Sequence, residues 1–126
     1  MKKSFCTENG PKAIGPYSTV MIHNDTGYLS GMLPIVPATG ILAEGDAAAQ
    51  TAQVMENIKD VLGELNRTMG DILKVSIFLR DIGSFGAVNE VYARYFSSNY
   101  PARICVEVSN IPRGAQVEID AIFAMD

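Results

Sequence analysis

Thr51, Val54, Met55, Ile58, Val61, Leu62 and Leu65 recur at steps of three and four, the spacing that puts one apolar stripe on a long amphipathic helix. Asp46 suits its N-cap, with Gly45 just before it. "RTMGD" (Arg67–Asp71) breaks the pattern, and "ILKVSIFL" (Ile72–Leu79) then reads as a β-branched strand apolar enough for the centre of a sheet. Ser84 can cap a second helix, in which Phe85, Val88, Tyr92, Tyr95 and Phe96 return at helical spacing. Ahead of the first helix, Thr19–His23 predicts a strand, "NDTG" (Asn24–Gly27) a turn, and Tyr28–Ser30 an antiparallel return. "GPKAIGPYS" (Gly10–Ser18) and "GMLPIVPATG" (Gly31–Gly40), punctuated by Gly and Pro, predict irregular loops with backbone polar groups free for ligands.

After the second helix the period changes to two. In "YPARICVEV" (Tyr100–Val108), Ile104, Val106 and Val108 alternate with Arg103, Cys105 and Glu107, so the apolar set shares one strand face and Arg103 projects from the other. "VEIDAIFA" (Val117–Ala124) is the last strand, with Val117, Ile119, Ala121 and Phe123 on one face and Glu118 and Asp120 on the other. The predicted order is β-β-α-β-α-β-β, with one more short strand near Phe5. Two amphipathic helices should cover one face of a single mixed sheet, an α+β layer arrangement. The second sheet face then lacks cover from its own chain, which predicts an oligomer.

The chain has 126 residues, 48% of them hydrophobic and 19% charged, enough for the core of one domain spanning residues 1–126. A formal net charge of −4 without a basic run argues against general nucleic-acid binding, which rests on phosphate neutralisation. No stretch approaches the ~20 apolar residues of a membrane span. "MKKSFCTENG" has lysines but no apolar run after them, so a secretory signal is not expected. Cys6 and Cys105 do not resemble a disulfide framework, which predicts a reduced, cytoplasmic setting. With one histidine and two scattered cysteines, no metal site is expected.

No nucleotide-binding glycine motif, zinc-protease motif or nucleophile elbow occurs. His23, where a strand meets a turn, reads as a solvated residue. Arg103 asks for more, because a guanidinium keeps its charge and needs an anion when buried. Glu107 on the same strand face is one candidate, a carboxylate of a neighbouring subunit another, and a substrate carboxylate held in a bidentate fork the third. If the two C-terminal strands form a hairpin turning near Ile111 and Pro112, Glu118 falls opposite Cys105 and Asp120 opposite Arg103. Those four residues would then make a polar island on otherwise apolar strands, although the register is not fixed by pattern alone.

Several motifs together carry a resemblance: "AIGPYS" (Ala13–Ser18), "SG" followed by "PI" (Ser30–Ile35), Gly45–Leu62, "VNEVYARYF" (Val88–Phe96), "PARICVEV" (Pro101–Val108) and "VEIDAIFA". In this order and at these spacings the chain resembles the RidA/YjgF family of imine deaminases nearly end to end. The resemblance implies a chorismate-mutase-like α+β fold, a homotrimer with the sheets forming an inner barrel, and sites in the clefts between subunits. It implies hydrolysis of 2-imino acids, such as 2-iminopropanoate and 2-iminobutanoate, to 2-oxo acids and ammonia, with no cofactor. By motif position Arg103 would hold the substrate carboxylate and Glu118 would position the water. Tyr17, Ser30, Gly31, Asn89 and Cys105 would line the pocket. Met32 stands where members often have glutamine, which implies a less polar pocket rim. A ribonuclease or translation inhibitor, and a non-catalytic module binding small carboxylates, are the competing functions.

Overall fold

The computed structural model describes residues 1–126. The strands are β1 (Lys3–Phe5), β2 (Val20–His23), β3 (Thr26–Met32), β4 (Ile35–Val36), β5 (Ile41–Leu42), β6 (Ile72–Leu79), β7 (Ala102–Glu107) and β8 (Val117–Ala124). The helices are α1 (Ala47–Glu64) and α2 (Phe85–Ala93). Asp46 caps α1 as expected, its carboxylate accepting from the Ala49 amide at 3.0 Å. The predicted stripe is buried from Thr51 to Leu62, with Leu65 half-buried at the C-cap, and Gln50 and Asn57 are buried with it. Neither helix is long and apolar enough to cross a membrane.

Six strands form one mixed sheet in the order β1-β2-β3-β8-β6-β7, with both helices against one face. β7 runs parallel to β6, joined to it through α2 as a strand–helix–strand crossover, while β8 runs antiparallel between β6 and β3. The two C-terminal strands therefore do not form a hairpin, contrary to the sequence expectation. The reason lies in burial. Val117, Ile119, Ala121 and Phe123 are all nearly or fully buried, which suits the middle of a sheet, whereas β7 occupies an edge. Gly27 on β3 faces Phe123, and a side chain there would run into the Phe123 ring.

The loop after Ser30 is more regular than its prolines suggest. β3 continues to Met32, and β4 and β5 pair as a small antiparallel ribbon. Asn57 anchors this segment, its amide donating to the carbonyls of Leu33 (3.3 Å) and Ile35 (2.8 Å). Gln50 does likewise on either side of the helix start, donating to Ala43 and accepting from the Gln116 amide.

The faces of β7 are also assigned differently from the simplest expectation. Cys105 packs against the core and the Arg103 guanidinium lies over the Tyr92 ring of α2, so the polar set faces the helices. Ile104 (50% exposed) and Val106 point to the open face, with Tyr28 (47% exposed) of β3. An edge strand showing its apolar side outward is the pattern of a surface meant for another chain.

Candidate active site

The residues singled out from sequence gather in two clusters, on opposite faces of the sheet. Cross-strand partners share a face, so the register separates them. Arg103 is aligned with Val75 and Cys105 with Ile77, both buried under the helices. Glu118 is aligned with Phe78 and Asp120 with Ser76, on the side away from the helices. The expected single-chain island of Arg103, Cys105, Glu118 and Asp120 does not form.

The first cluster is a cleft of about 490 Å³, with Tyr17, Ser30, Gly31 and Glu118 among its polar walls and Ile14, Leu33 and Ile35 among its apolar ones. A register shift between Leu29 and Met32 interrupts the β3–β8 ladder where Ser30 and Gly31 sit. Such an irregularity re-aims side chains, here toward Glu118. Ser30 Oγ donates to the Ser18 carbonyl at 2.7 Å, tying the Tyr17 loop to β3. At Gly31 an added Cβ would run into Glu118 Oε2, so the absence of a side chain makes room for this carboxylate. Burial, and then the neighbouring Asp120, push the Glu118 carboxyl above its ordinary pKa. Asp120 itself accepts from the Ser76 amide at 3.2 Å.

The same shift explains Met32. Leu29 and Met32 are both buried, three residues apart, where strict alternation would have put them on opposite faces. Met32 (5% exposed) packs in the core and also borders a recess beside Tyr17, Ser30 and Gly31, where Leu33 and Ile35 add to the apolar wall.

The second cluster is built by β7 and α2. Arg103 Nη1 donates to Asn89 Oδ1 at 2.7 Å. The guanidinium carbon lies 5.1 Å from the Tyr92 ring centroid and 5.6 Å from that of Phe85. Glu107, the nearest candidate partner by sequence, instead accepts from the Ile82 amide at 2.9 Å. Arg103 is thus held by a neutral amide and two aromatic faces, with no carboxylate of the chain hydrogen-bonded to it. Cys105 is half-buried and its thiol is pushed up by burial, with Arg103 acting in the opposite direction. In the sequence pattern Phe85 and Tyr92 are only parts of an apolar stripe. The signal that could have singled them out is their spacing around Asn89, at Phe85, Asn89 and Tyr92, which puts two rings and an amide on one helix face.

His23 is exposed and its ring nitrogen meets only Asn24, at 3.5 Å, as a solvated turn residue would. Cys6 and Cys105 are both free.

Residues 7–125 match the family model described as endoribonuclease L-PSP. The chain belongs to this family. It is the RidA/YjgF family of the sequence resemblance, and the whole fold agrees with it. Among its members, a RutC family protein of Pyrococcus horikoshii is 44% identical over 122 residues, covering 97% of each chain. The 2-iminobutanoate/2-iminopropanoate deaminase of Salmonella typhimurium is 39% identical over 125 residues, again covering 97% of each. A solved Rid family protein of Yersinia pestis, titled as of unknown function, superposes with a TM-score of 0.95 at 45% identity, covering 98% of this chain and 99% of its own. Endoribonuclease L-PSP members thus include imine deaminases beside proteins named only for the family.

Proposed function

We propose that the protein hydrolyses small 2-imino acids to 2-oxo acids and ammonia, in sites formed between neighbouring subunits of a homotrimer. The observation that carries this is the state of Arg103: its hydrogen bond goes to the neutral Asn89, so the strand presents an unneutralised, pre-oriented fork suited to a carboxylate. The deaminase name of the Salmonella relative supports the reaction class. The division of Arg103 and Glu118 between opposite faces supports an intersubunit site, because one chain's clamp needs a neighbour's base.

The chemistry asks for little machinery. The protonated imine carbon is already electrophilic. Glu118 accepts a proton from a water as its oxygen bonds to that carbon. Glu118 then returns that proton to the nitrogen of the tetrahedral amino alcohol; the C–N bond breaks, ammonia leaves, and the hydroxyl gives up its remaining proton to the freed carboxylate as the 2-oxo acid forms. General-base assistance of this kind contributes ~10²–10⁴-fold, and fixing the carboxylate through Arg103 adds an orientation term. No step requires a cofactor. The family's endoribonuclease description supplies a second reading, RNA cleavage, but a net charge of −4 and a single, turn-exposed histidine suit it poorly.

Two inactive variants test the proposal together. Arg103→Ala and Glu118→Gln should each lose imine hydrolysis, assayed with an amino-acid oxidase generating the imine, while staying folded. Co-expressed in equal amounts, they should regain about a quarter of the wild-type activity, since that share of intersubunit sites draws an intact Arg and an intact Glu from different chains. A mixture that assembles but stays inactive refutes the intersubunit site. RNA cleavage without imine hydrolysis in the wild type refutes the reaction.

A further inference from the structure

Arg103 is gripped on one edge and open on the other. Nη1 is committed to Asn89, whereas Nε and Nη2 donate to nothing in the chain and are not buried. Phe85 and Tyr92 lie against the guanidinium. An aromatic ring attracts a cation through its quadrupole without neutralising it, and it limits rotation of the planar group. A carboxylate in the same place would hold Arg103 as firmly and cancel the charge needed for a ligand.

We infer that Phe85 and Tyr92 are positioning residues that fix Arg103 so that its Nε–Nη2 edge receives the ligand carboxylate side-on. This rests on the proposed clamp function of Arg103. Tyr92 acts through its ring. Its hydroxyl is buried without a hydrogen-bond partner, although the residue is only 5% exposed, and an orphan hydroxyl gives no reason for a tyrosine in place of phenylalanine. Asn89 sets the in-plane angle and the two rings set the tilt, so one face of α2 aims one side chain of β7. The aim is set before the ligand arrives and acts chiefly on binding, so its loss should raise KM more than it lowers kcat.

The test compares Tyr92→Leu, Tyr92→Phe and Phe85→Ala in the full-length protein. Three quantities are read: the Kd of 2-oxopropanoate by calorimetry, the kcat and KM for the matching imine, and the Arg103 ¹⁵Nε–H resonance in the ligand-free protein. Tyr92→Leu and Phe85→Ala should each weaken Kd and raise KM by roughly 5- to 30-fold, the scale of a lost cation–π contact, with kcat little changed. The Arg103 Nε–H signal should broaden into solvent exchange in both, and Tyr92→Phe should restore signal and affinity. If Tyr92→Leu and Phe85→Ala melt earlier but keep wild-type Kd and the Nε–H signal, the rings are core packing and the inference is wrong. It is equally wrong if Tyr92→Phe is as damaging as Tyr92→Leu, which would assign the role to the hydroxyl. A wild type that neither binds 2-oxopropanoate nor hydrolyses the imine removes the proposed function instead. The resonance comparison still decides whether the rings hold Arg103.

Discussion

Asn89→Asp changes one atom type and asks directly whether Arg103 is reserved for an external anion. Asn89 Oδ1 already accepts from Arg103 Nη1 at 2.7 Å, so a carboxylate of the same shape would make an internal ion pair without rebuilding anything. For the fold this is neutral to mildly favourable, about 0–1 kcal/mol at a partly exposed pair. For the ligand it is unfavourable. A carboxylate on the Nε–Nη2 edge would sit about 5.5 Å from the introduced one, and two like charges at that distance repel by about 3 kcal/mol at an effective dielectric near 20. Solvent screening at a half-exposed side chain reduces this to roughly half, so the Kd of 2-oxopropanoate should weaken by roughly 10-fold. Asn89→Ala, which loosens the guanidinium but leaves its charge unpaired, should weaken binding less. Calorimetric Kd and thermal melting measured on the same samples would show binding and stability moving in opposite directions. Wild-type affinity in Asn89→Asp would refute the clamp, since the ligand carboxylate would then lie elsewhere.

Two further outcomes follow from the Glu118 side of the fold. Gly31→Ala should cost little stability, because the atom it meets is the flexible end of Glu118, yet it should lower imine hydrolysis by ~10²-fold or more by displacing the base; Gly27→Ala, meeting the buried Phe123 ring, should instead cost ~1–3 kcal/mol in denaturant melts. Hydrolysis should fall on the acid side as Glu118 takes up its proton, with a midpoint above the ordinary glutamate value, and a midpoint at or below that value would remove Glu118 as the base. The linked effect on stability has the opposite sense. A carboxyl raised in the folded state binds its proton more tightly there than when unfolded, so its stabilising contribution is present below the unfolded pKa and is lost as pH rises through the folded one. Glu118→Gln should therefore melt above the wild type at neutral pH and close to it in acid.

Local pattern was sufficient for what local physics decides. Asp46 and the stripe from Thr51 to Leu62 identified α1, and the β-branched run from Ile72 identified β6, since capping and periodicity act within a few residues. Alternation also grouped Arg103 with Cys105, and Glu118 with Asp120. It did not say which face the helices would cover. β7 shows its apolar side outward, leaving Ile104 and Val106 without cover from this chain, and no property of nine consecutive residues reports that. The place of β8 between β3 and β6 is a long-range choice of the same kind, and a hairpin was the natural local alternative. At Met32 the register shift carried a residue read as loop into the core, as a bulge does without a clear mark in composition. Tyr17, Ser30, Gly31, Asn89 and Cys105 came from the family resemblance and not from local pattern, whereas in sequence Phe85 and Tyr92 look like ordinary core.

The sheet keeps Arg103 and Glu118 apart like two sides of a wall, and this has an arithmetic consequence for how activity grows with assembly. In the proposed intersubunit site each chain would offer one clamp and one base, pointing in different directions, so two chains joined head to tail would complete a single site and leave one clamp and one base idle. Closing the proposed ring with a third chain would complete two more at once. Specific activity per chain would then rise from nothing in the lone chain, through half in an open pair, to its full value only on closure. The protein's own concentration would act as a control on its output, without any separate regulatory element.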